Sequence, residues 1–116
     1  MQFSSSLKKN HIFRRLYASK GVANSYLVLY ARPNRSGHNQ VGFTVSKKLG
    51  HAVVRNRTRR RLREVYRLNE PLFRPGWDIV VVARTRSVDA PFGKLTHAFL
   101  SLADKAGLLV KQENLP

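Results

Sequence analysis

The segment from Arg55 to Arg63 contains six arginines in nine residues, and it constrains the fold more than any other feature of the chain. Arginine side chains stay charged and are almost never buried without partners, so most of this segment must lie at the surface. An α-helix meets that demand while keeping one face for packing, because every third or fourth residue returns to the same side. The spacing predicts a helix over about 51–69, whose packing stripe consists of Val54, Thr58, Leu62 and Val65.

The opposite face of this helix is predicted to bind a polyanion. Every fourth residue from Arg55 to Arg67 is an arginine, and like charges at that spacing cost a few tenths of a kcal/mol each. Glu64 is the one acid between them, and we expect it to pair with Arg60 or Arg61. An external anion would offset the remaining repulsion, and the planar guanidinium binds phosphate through two parallel hydrogen bonds.

The distribution of charge also indicates a nucleic-acid partner. The net charge is +16, and residues 1–63 contain 15 Lys or Arg and no Asp or Glu. Such a one-sided distribution matches a phosphate backbone. We expect no membrane association, because no apolar run approaches the ~18 residues of a membrane span and no stretch pairs a basic face with a broad apolar one. No secretory signal is evident, so we expect a cytoplasmic protein.

The other segments predict helices and strands in alternation. A helix is expected over 10–19 with Asn10 as its cap, strands over 22–32, 41–46 and 77–84, and a last helix capped by Asp89 and ended by Gly107. The first strand has two apolar faces, with Tyr26, Val28 and Tyr30 on one of them. Trp77, Phe92 and Phe99 are expected in the core. This order predicts an α/β (α+β) sandwich of helices on a small mixed sheet.

The chain shows no catalytic constellation of its own. The six acids are scattered, none lies in the basic half, and the four histidines have no ligand spacing. A protein nuclease would need clustered carboxylates for metal ions or a histidine pair for proton transfer. A helix-turn-helix DNA-binding protein is also excluded, because the strand over 41–46 stands where the motif needs a helix.

The run from Gly42 to Arg63 resembles the signature of the bacterial ribonuclease P protein family. A G-x-x-V-S-K-K strand end, an A-V-x-R-N-R helix start and the basic continuation to Arg63 occur in the family's order. The resemblance extends over about 105 residues and includes the flanking strands. His51 and Thr58 depart from the residues common in the family, but neither lies on the basic face.

The resemblance implies a fold and a function. The fold would be a two-layer sandwich of a four-stranded mixed sheet and three helices, in the order αβββαβα. It would resemble a domain of ribosomal protein S5 and contain a left-handed βαβ crossover. The holoenzyme would remove the 5′ leader of precursor tRNA, with the active site and its Mg²⁺ on a catalytic RNA subunit. The protein would then be an accessory subunit, and a ribosomal or RNA-chaperone protein remains the alternative.

The resemblance and the residue pattern together assign two binding surfaces. One surface would bind the RNA subunit and consists of Lys47, Lys48, Arg55, Asn56, Arg57, Arg59, Arg60, Arg61, Arg63 and Arg67. The other would be a cleft between the first helix and the sheet that holds the single-stranded leader. Phe13 and Tyr17, with Tyr26 or Tyr30, are its candidate residues, because aromatic faces stack on unpaired bases.

Three further expectations concern the organisation of the chain. Residues 1–116 are expected to form a single domain, with about 108–116 as a flexible tail. The protein is expected to be a monomer when free, and one protein is expected to bind each RNA. No metal ion is assigned to the protein itself.

Overall fold

The computed structural model describes residues 4–6 and 10–110, with side chains from Arg14 onward. The elements are β1 (Ser4–Ser6), α1 (Asn10–Ala18), β2 (Val22–Ala23), β3 (Leu27–Pro33), β4 (Asn39–Thr44), α2 (Ala52–Asn69), β5 (Trp77–Ala83) and α3 (Phe92–Lys105). From α1 onward their order is the expected αβββαβα. The short strand β1 precedes this series.

The strands form one mixed sheet in the order β1-β4-β5-β3-β2. The neighbouring strands β4 and β5 are parallel, and α2 connects them. Strand β3 pairs antiparallel with the other edge of β5, and β2 pairs antiparallel with β3. The expected four-stranded mixed sheet is therefore confirmed as β2 to β5, and β1 extends it by pairing parallel with β4.

The predicted strand over 22–32 is divided by a turn, so its prediction as one strand was wrong. The Asn24 carboxamide oxygen accepts hydrogen bonds from the backbone N–H groups of Tyr26 and Leu27, at 2.9 and 3.0 Å. Asn favours such turns because its short side chain replaces a backbone acceptor. The turn folds β2 back onto β3 as a hairpin and removes Tyr26 from the alternation of β3.

The alternating residues of β5 separate two apolar clusters on opposite faces of the sheet. Ile79 and Val81 belong to the main core, which α2 and α3 cover. Val80 faces the other way and packs with Leu16 of α1. Both faces of the central strand are thus covered, as its continuous apolar run indicates.

The sequence predicted the C-terminal end of α3 correctly but not its N-terminal end. Asp89 does not cap the helix: Pro91 occupies the N-cap, and no side chain caps it. Phe92 follows at the first position and is 38% exposed, so its assignment to the core was wrong. Phe99 is buried, and Trp77 is half-buried against the main core. Gly107 ends the helix at φ +76°, a backbone conformation that favours glycine.

Residues 108–110 pack onto the domain, so the predicted tail does not begin at 108. Leu108 is fully buried, and the N–H of Val110 donates to the carbonyl of Leu72 at 2.7 Å. Residues 111–116 lie outside the described part of the chain. Within the described part, no helix combines the length and apolar character that crossing a membrane requires.

Candidate nucleic-acid interface

The packing side of α2 matches the predicted stripe and adds one residue to it. Thr58, Leu62 and Val65 are buried, and Val54 is half-buried. The Thr58 hydroxyl donates to the carbonyl of Val54 at 2.9 Å, which satisfies this polar atom inside the core. Tyr66 is buried as well. The predicted stripe did not include Tyr66, although its position four residues after Leu62 indicates the same side of the helix.

Lys47 and Lys48 lie on a short 3-10 turn between β4 and α2. Ser46 caps this turn, because its hydroxyl accepts from the N–H of Lys48 at 3.1 Å. Both lysines are exposed. The two lysines therefore lie between the end of β4 and the first turn of α2, as the sequence predicted.

The outward arginines of α2 differ in whether their side chains form hydrogen bonds or ion pairs within the protein. Arg60 and Arg63 are exposed, and among the described residues neither has a hydrogen-bond or ion-pair partner. Arg59 donates to the carboxamide oxygen of Asn56 at 2.9 Å, so Asn56 helps to orient an arginine. Arg55 is half-buried, and its Nε has no hydrogen-bond partner within the described chain.

Two flanking arginines contact the segment that leads into α3. Arg61 donates to the backbone carbonyls of Val88 and Ala90. Arg57 donates to the same Val88 carbonyl at 3.4 Å, and its guanidinium lies 4.0 Å from the carboxylate of Asp89. Arg61 therefore has a structural role, and Arg57 shares one with it.

Glu64 pairs with Arg67, so the predicted pairing with Arg60 or Arg61 was wrong. Arg67 Nε donates to one carboxylate oxygen of Glu64 at 2.9 Å, and a second nitrogen contacts the other oxygen. This hydrogen bonding lowers the pKa of Glu64 and raises that of Arg67. Arg61 is already engaged by the carbonyls of Val88 and Ala90, whereas Arg67 is available for a strong bidentate pair. Arg67 is thereby the most nearly neutralised arginine on the helix.

Helix α1 packs on the face of the sheet opposite α2 and α3. The surface beside α1 where Tyr17, Tyr30 and Thr44 meet is referred to as the groove. Tyr17 of α1 meets Tyr30 of β3 edge to face, with ring centroids 5.3 Å apart. The Tyr17 hydroxyl is 3.3 Å from the hydroxyl of Thr44 on β4, and 43% of Tyr17 is exposed. Leu16, fully buried on Val80, fixes α1 at this position. Thr44 was not singled out as a site residue, although the alternation of β4 already pointed it away from the core.

The structure does not bring Tyr26 to this groove. Its ring packs against the main core, and the Arg86 guanidinium stands 5.0 Å from the ring centroid. Of the two strand aromatics, Tyr30 is therefore the one that lies beside Tyr17. Phe13 belongs to α1, but its side chain lies outside the described residues.

The acidic side chains do not gather at one place in the described chain. Glu64 is engaged by Arg67, and Asp78 accepts a hydrogen bond from Asn34 at 3.0 Å. Among the described residues, no group of three or more His, Asp or Glu side chains is arranged so that it could hold a metal ion.

These features define a class: small basic α/β proteins of the RNA-binding kind that carry an arginine-rich helix on one side of the sheet and aromatic side chains on the other. The family model described as Ribonuclease P matches residues 1–107, and the chain belongs to this family. A ribonuclease P protein component from Natranaerobius thermophilus is 43% identical over 107 residues, which are 91% of this chain and 93% of the relative.

Solved structures agree with this assignment. The RNase P protein of Staphylococcus aureus superposes with a TM-score of 0.81 at 32% identity, covering 90% of this chain and 97% of that one. The RNase P protein from Thermotoga maritima gives 0.79 at 28% identity, covering 86% and 96%. The chain is thus a protein subunit of the ribonuclease P ribonucleoprotein, an endoribonuclease of tRNA processing, and its partner is the ribonuclease P RNA. The ribosomal or RNA-chaperone alternative is not supported.

Proposed function

We propose that the exposed face of α2, together with Lys47 and Lys48, binds the catalytic RNA subunit. The supporting observation is that Arg60 and Arg63 project from a rigid helix without a carboxylate partner in the described structure. When such charges neutralise phosphates, the RNA releases its condensed counterions, and the resulting affinity is strong and salt-dependent. Arg55, Asn56, Arg59 and Arg67 flank these two arginines on the same face.

Arg57 and Arg61 belong to this surface in a different way. Their hydrogen bonds to the carbonyls of Val88 and Ala90 leave further guanidinium N–H groups free, because each arginine has five donors. We assign them both to phosphate binding and to holding the segment before α3 against α2.

We propose that the groove beside α1 holds the 5′ leader of precursor tRNA. Tyr17 is 43% exposed, and Tyr30 and Thr44 position its ring. Stacking on an unpaired base is worth ~1–3 kcal/mol and tolerates any sequence, which suits a strand that varies between tRNAs. Helical spacing sets Phe13 one turn before Tyr17, so we include it in the same groove.

We propose that Mg²⁺ is held by the RNA subunit and supplies the hydrolytic chemistry there. The described carboxylates do not form a common site for it, since Glu64 pairs with Arg67 and Asp78 is held by Asn34. The protein's own task is then to bind RNA and to orient the leader. We propose that one protein binds each RNA subunit.

Reconstitution with the cognate RNA subunit tests this function directly. The protein alone should leave precursor tRNA intact, and the RNA with the protein should cleave it efficiently at low Mg²⁺. A protein that does not stimulate its RNA would refute the accessory role.

The groove is tested by two substitutions at one position. Tyr17→Ala should weaken binding of leader-bearing precursor by about 5- to 150-fold, the equivalent of one lost stacking contact, and should leave mature tRNA unaffected. Tyr17→Phe loses the hydroxyl contact to Thr44 but keeps the ring, so it should stay near wild type. Equal losses for precursor and mature tRNA would contradict the leader assignment.

A further inference from the structure

Two adjoining cavities lie where α3 faces the turn between β2 and β3, on the opposite side of the sheet from the groove. Their volumes are about 380 and 330 Å³. Tyr26 and Lys94 line both of them, so the two cavities form one depression, which we call the α3 pocket. Each volume lies within the ~300–1,000 Å³ that is typical of ligand sites.

Contacts within the protein fix the walls of the α3 pocket. The side-chain amide of Asn24 donates to the carbonyl of Ala98 at 3.0 Å, and this hydrogen bond joins the β2–β3 turn to α3. Arg86 donates to the hydroxyl of Ser25 at 3.3 Å, and its guanidinium stands 5.0 Å from the centroid of the Tyr26 ring. The pocket is therefore formed before any ligand arrives, which lowers the entropic cost of binding.

One face of α3 leaves the larger cavity open and supplies polar groups to it. Gly93, His97 and Ser101 recur at every fourth residue and line this cavity. A Cβ added to Gly93 would lie in open space, with no atom of a neighbouring element within 4 Å. His97 and Ser101 are exposed, and their side chains form no hydrogen bond with the described residues. These two side chains are therefore available to a ligand.

The α3 pocket has an excess of positive charge beside an aromatic ring. Lys94 and Arg86 are exposed, and within the described chain neither forms an ion pair. Asp89 is the one carboxylate in the lining, and it lies 4.0 Å from the guanidinium of Arg57 on α2. A nucleotide suits this arrangement, because aromatic rings and arginine planes stack on unpaired bases while cations bind the phosphates.

The α3 pocket is also continuous with the arginine surface of α2. Arg57 and Arg61 both donate to the carbonyl of Val88, and Arg61 donates to that of Ala90 as well. Ala90 and Asp89 in turn line the smaller cavity. Residues 88–90 thus have α2 on one side and the pocket on the other. An RNA that lies along α2 reaches the pocket without crossing the sheet.

We propose that the α3 pocket holds an unpaired nucleotide of the RNA subunit, with its base beside Tyr26 and its phosphates on Lys94 and Arg86. The nucleotide must be unpaired, because the bases of a duplex are stacked and cannot enter a pocket. This inference rests on the proposed binding of the RNA subunit to α2, since continuity with that helix identifies the RNA within reach.

The first test fills the pocket without removing a charge. Gly93→Leu places a side chain in the open space, so affinity for the RNA subunit should fall about 5- to 150-fold, the equivalent of one lost stacking contact. Its salt slope should stay near that of wild type. Gly93→Ala is the matched control: it adds only a methyl group and should bind like wild type. Both replacements favour a helix more than glycine does, so α3 should be kept.

The second test removes charge and keeps the pocket open. Arg86→Gln/Lys94→Gln should weaken binding about 2- to 30-fold for two exposed ionic contacts. The salt slope should fall by about 1.4, the value for two phosphates of a single strand. Lys105→Gln removes an exposed charge from the same helix outside the pocket and should leave the slope unchanged. Thermal melting checks that each variant is folded.

Arg60→Gln/Arg63→Gln, measured in parallel, separates failure of the pocket from failure of the α2 surface. Loss of affinity in that variant, with wild-type binding in both pocket variants, would overturn the pocket and leave the α2 assignment intact. Loss in the pocket variants alone would refute the α2 assignment instead. If Gly93→Leu binds the RNA subunit normally but its holoenzyme binds precursor tRNA weakly, the occupant is the substrate and the proposal is wrong.

Discussion

Neutralising an arginine of α2 should have different effects according to its contacts. Arg60 and Arg63 have no partner in the described protein, so their loss should change RNA binding, whereas Arg61 has two backbone partners, so its loss should change stability. Arg60→Gln/Arg63→Gln removes charges that make no described contact within the protein. Each phosphate contact adds ~0.9 to the slope of log affinity against log salt, so the slope for the RNA subunit should fall by ~1.8. Between ~50 and ~200 mM salt, wild-type protein should therefore lose about tenfold more affinity than this variant.

Arg61→Gln tests the opposite case on the same helix. Arg61 donates to the carbonyls of Val88 and Ala90, and losing such charge-assisted bonds at a half-buried site should cost about 1–2 kcal/mol of unfolding free energy. The melting temperature should fall by about 5–10 °C. The salt slope should fall by less than in the double variant.

Filter binding or fluorescence titration at several salt concentrations, beside thermal melting, measures both quantities. The expected result is a crossed pattern, with the double variant altered in salt slope and Arg61→Gln altered in stability. An unchanged slope in the double variant would mean that this face of α2 is only a solvated surface. An unchanged melting temperature in Arg61→Gln would contradict the role assigned to its backbone contacts.

Three further variants or conditions test other contacts. Glu64→Gln releases Arg67, so RNA affinity should rise at low salt and the salt slope should steepen by ~0.9. Hydrogen bonding to Arg67 lowers the pKa of Glu64, so this pair stabilises the fold at neutral pH and the effect is lost as pH falls through the lowered pKa. Any difference in melting temperature between wild type and Glu64→Gln should therefore vanish in acid. Gly76→Ala should cost about 1–3 kcal/mol in denaturant unfolding, because alanine is strained at φ +90° and its Cβ meets the Ser36 carbonyl.

The sequence predicted those features that depend on regular periodicity. The packing stripe of α2 follows from the 3.6-residue repeat, and the buried strand β5 follows from a continuous apolar run. The resemblance of Gly42 to Arg63 to a known family then supplied the sheet topology. Periodicity alone does not determine how strands are connected, so it did not supply that topology.

Features that depend on local hydrogen bonding were not predictable in the same way. Asn24 turns the chain within an apolar stretch. Because the alternation pattern did not reveal this turn, the prediction placed Tyr26 on the same face as Tyr30. Glu64 had arginines available at several positions, and side-chain geometry selected Arg67. The sequence also did not predict that Arg15, Arg32 and Arg35 line one cavity, because these arginines are separated in sequence and meet only after the sheet has formed.

The contact between α1 and the sheet has a consequence for hydrogen exchange. From Arg14 to Ala18, Leu16 is the one buried side chain, whereas α3 buries five. Full burial of one leucine contributes ~1.5–3 kcal/mol, so the segment of α1 from Arg14 to Ala18 should open in isolation at far lower free energy than the whole domain unfolds. Amide protons of this segment should then exchange by local opening, and those of β5 by global unfolding. An RNA strand lying in the groove would bridge helix and sheet, and would slow exchange selectively in α1.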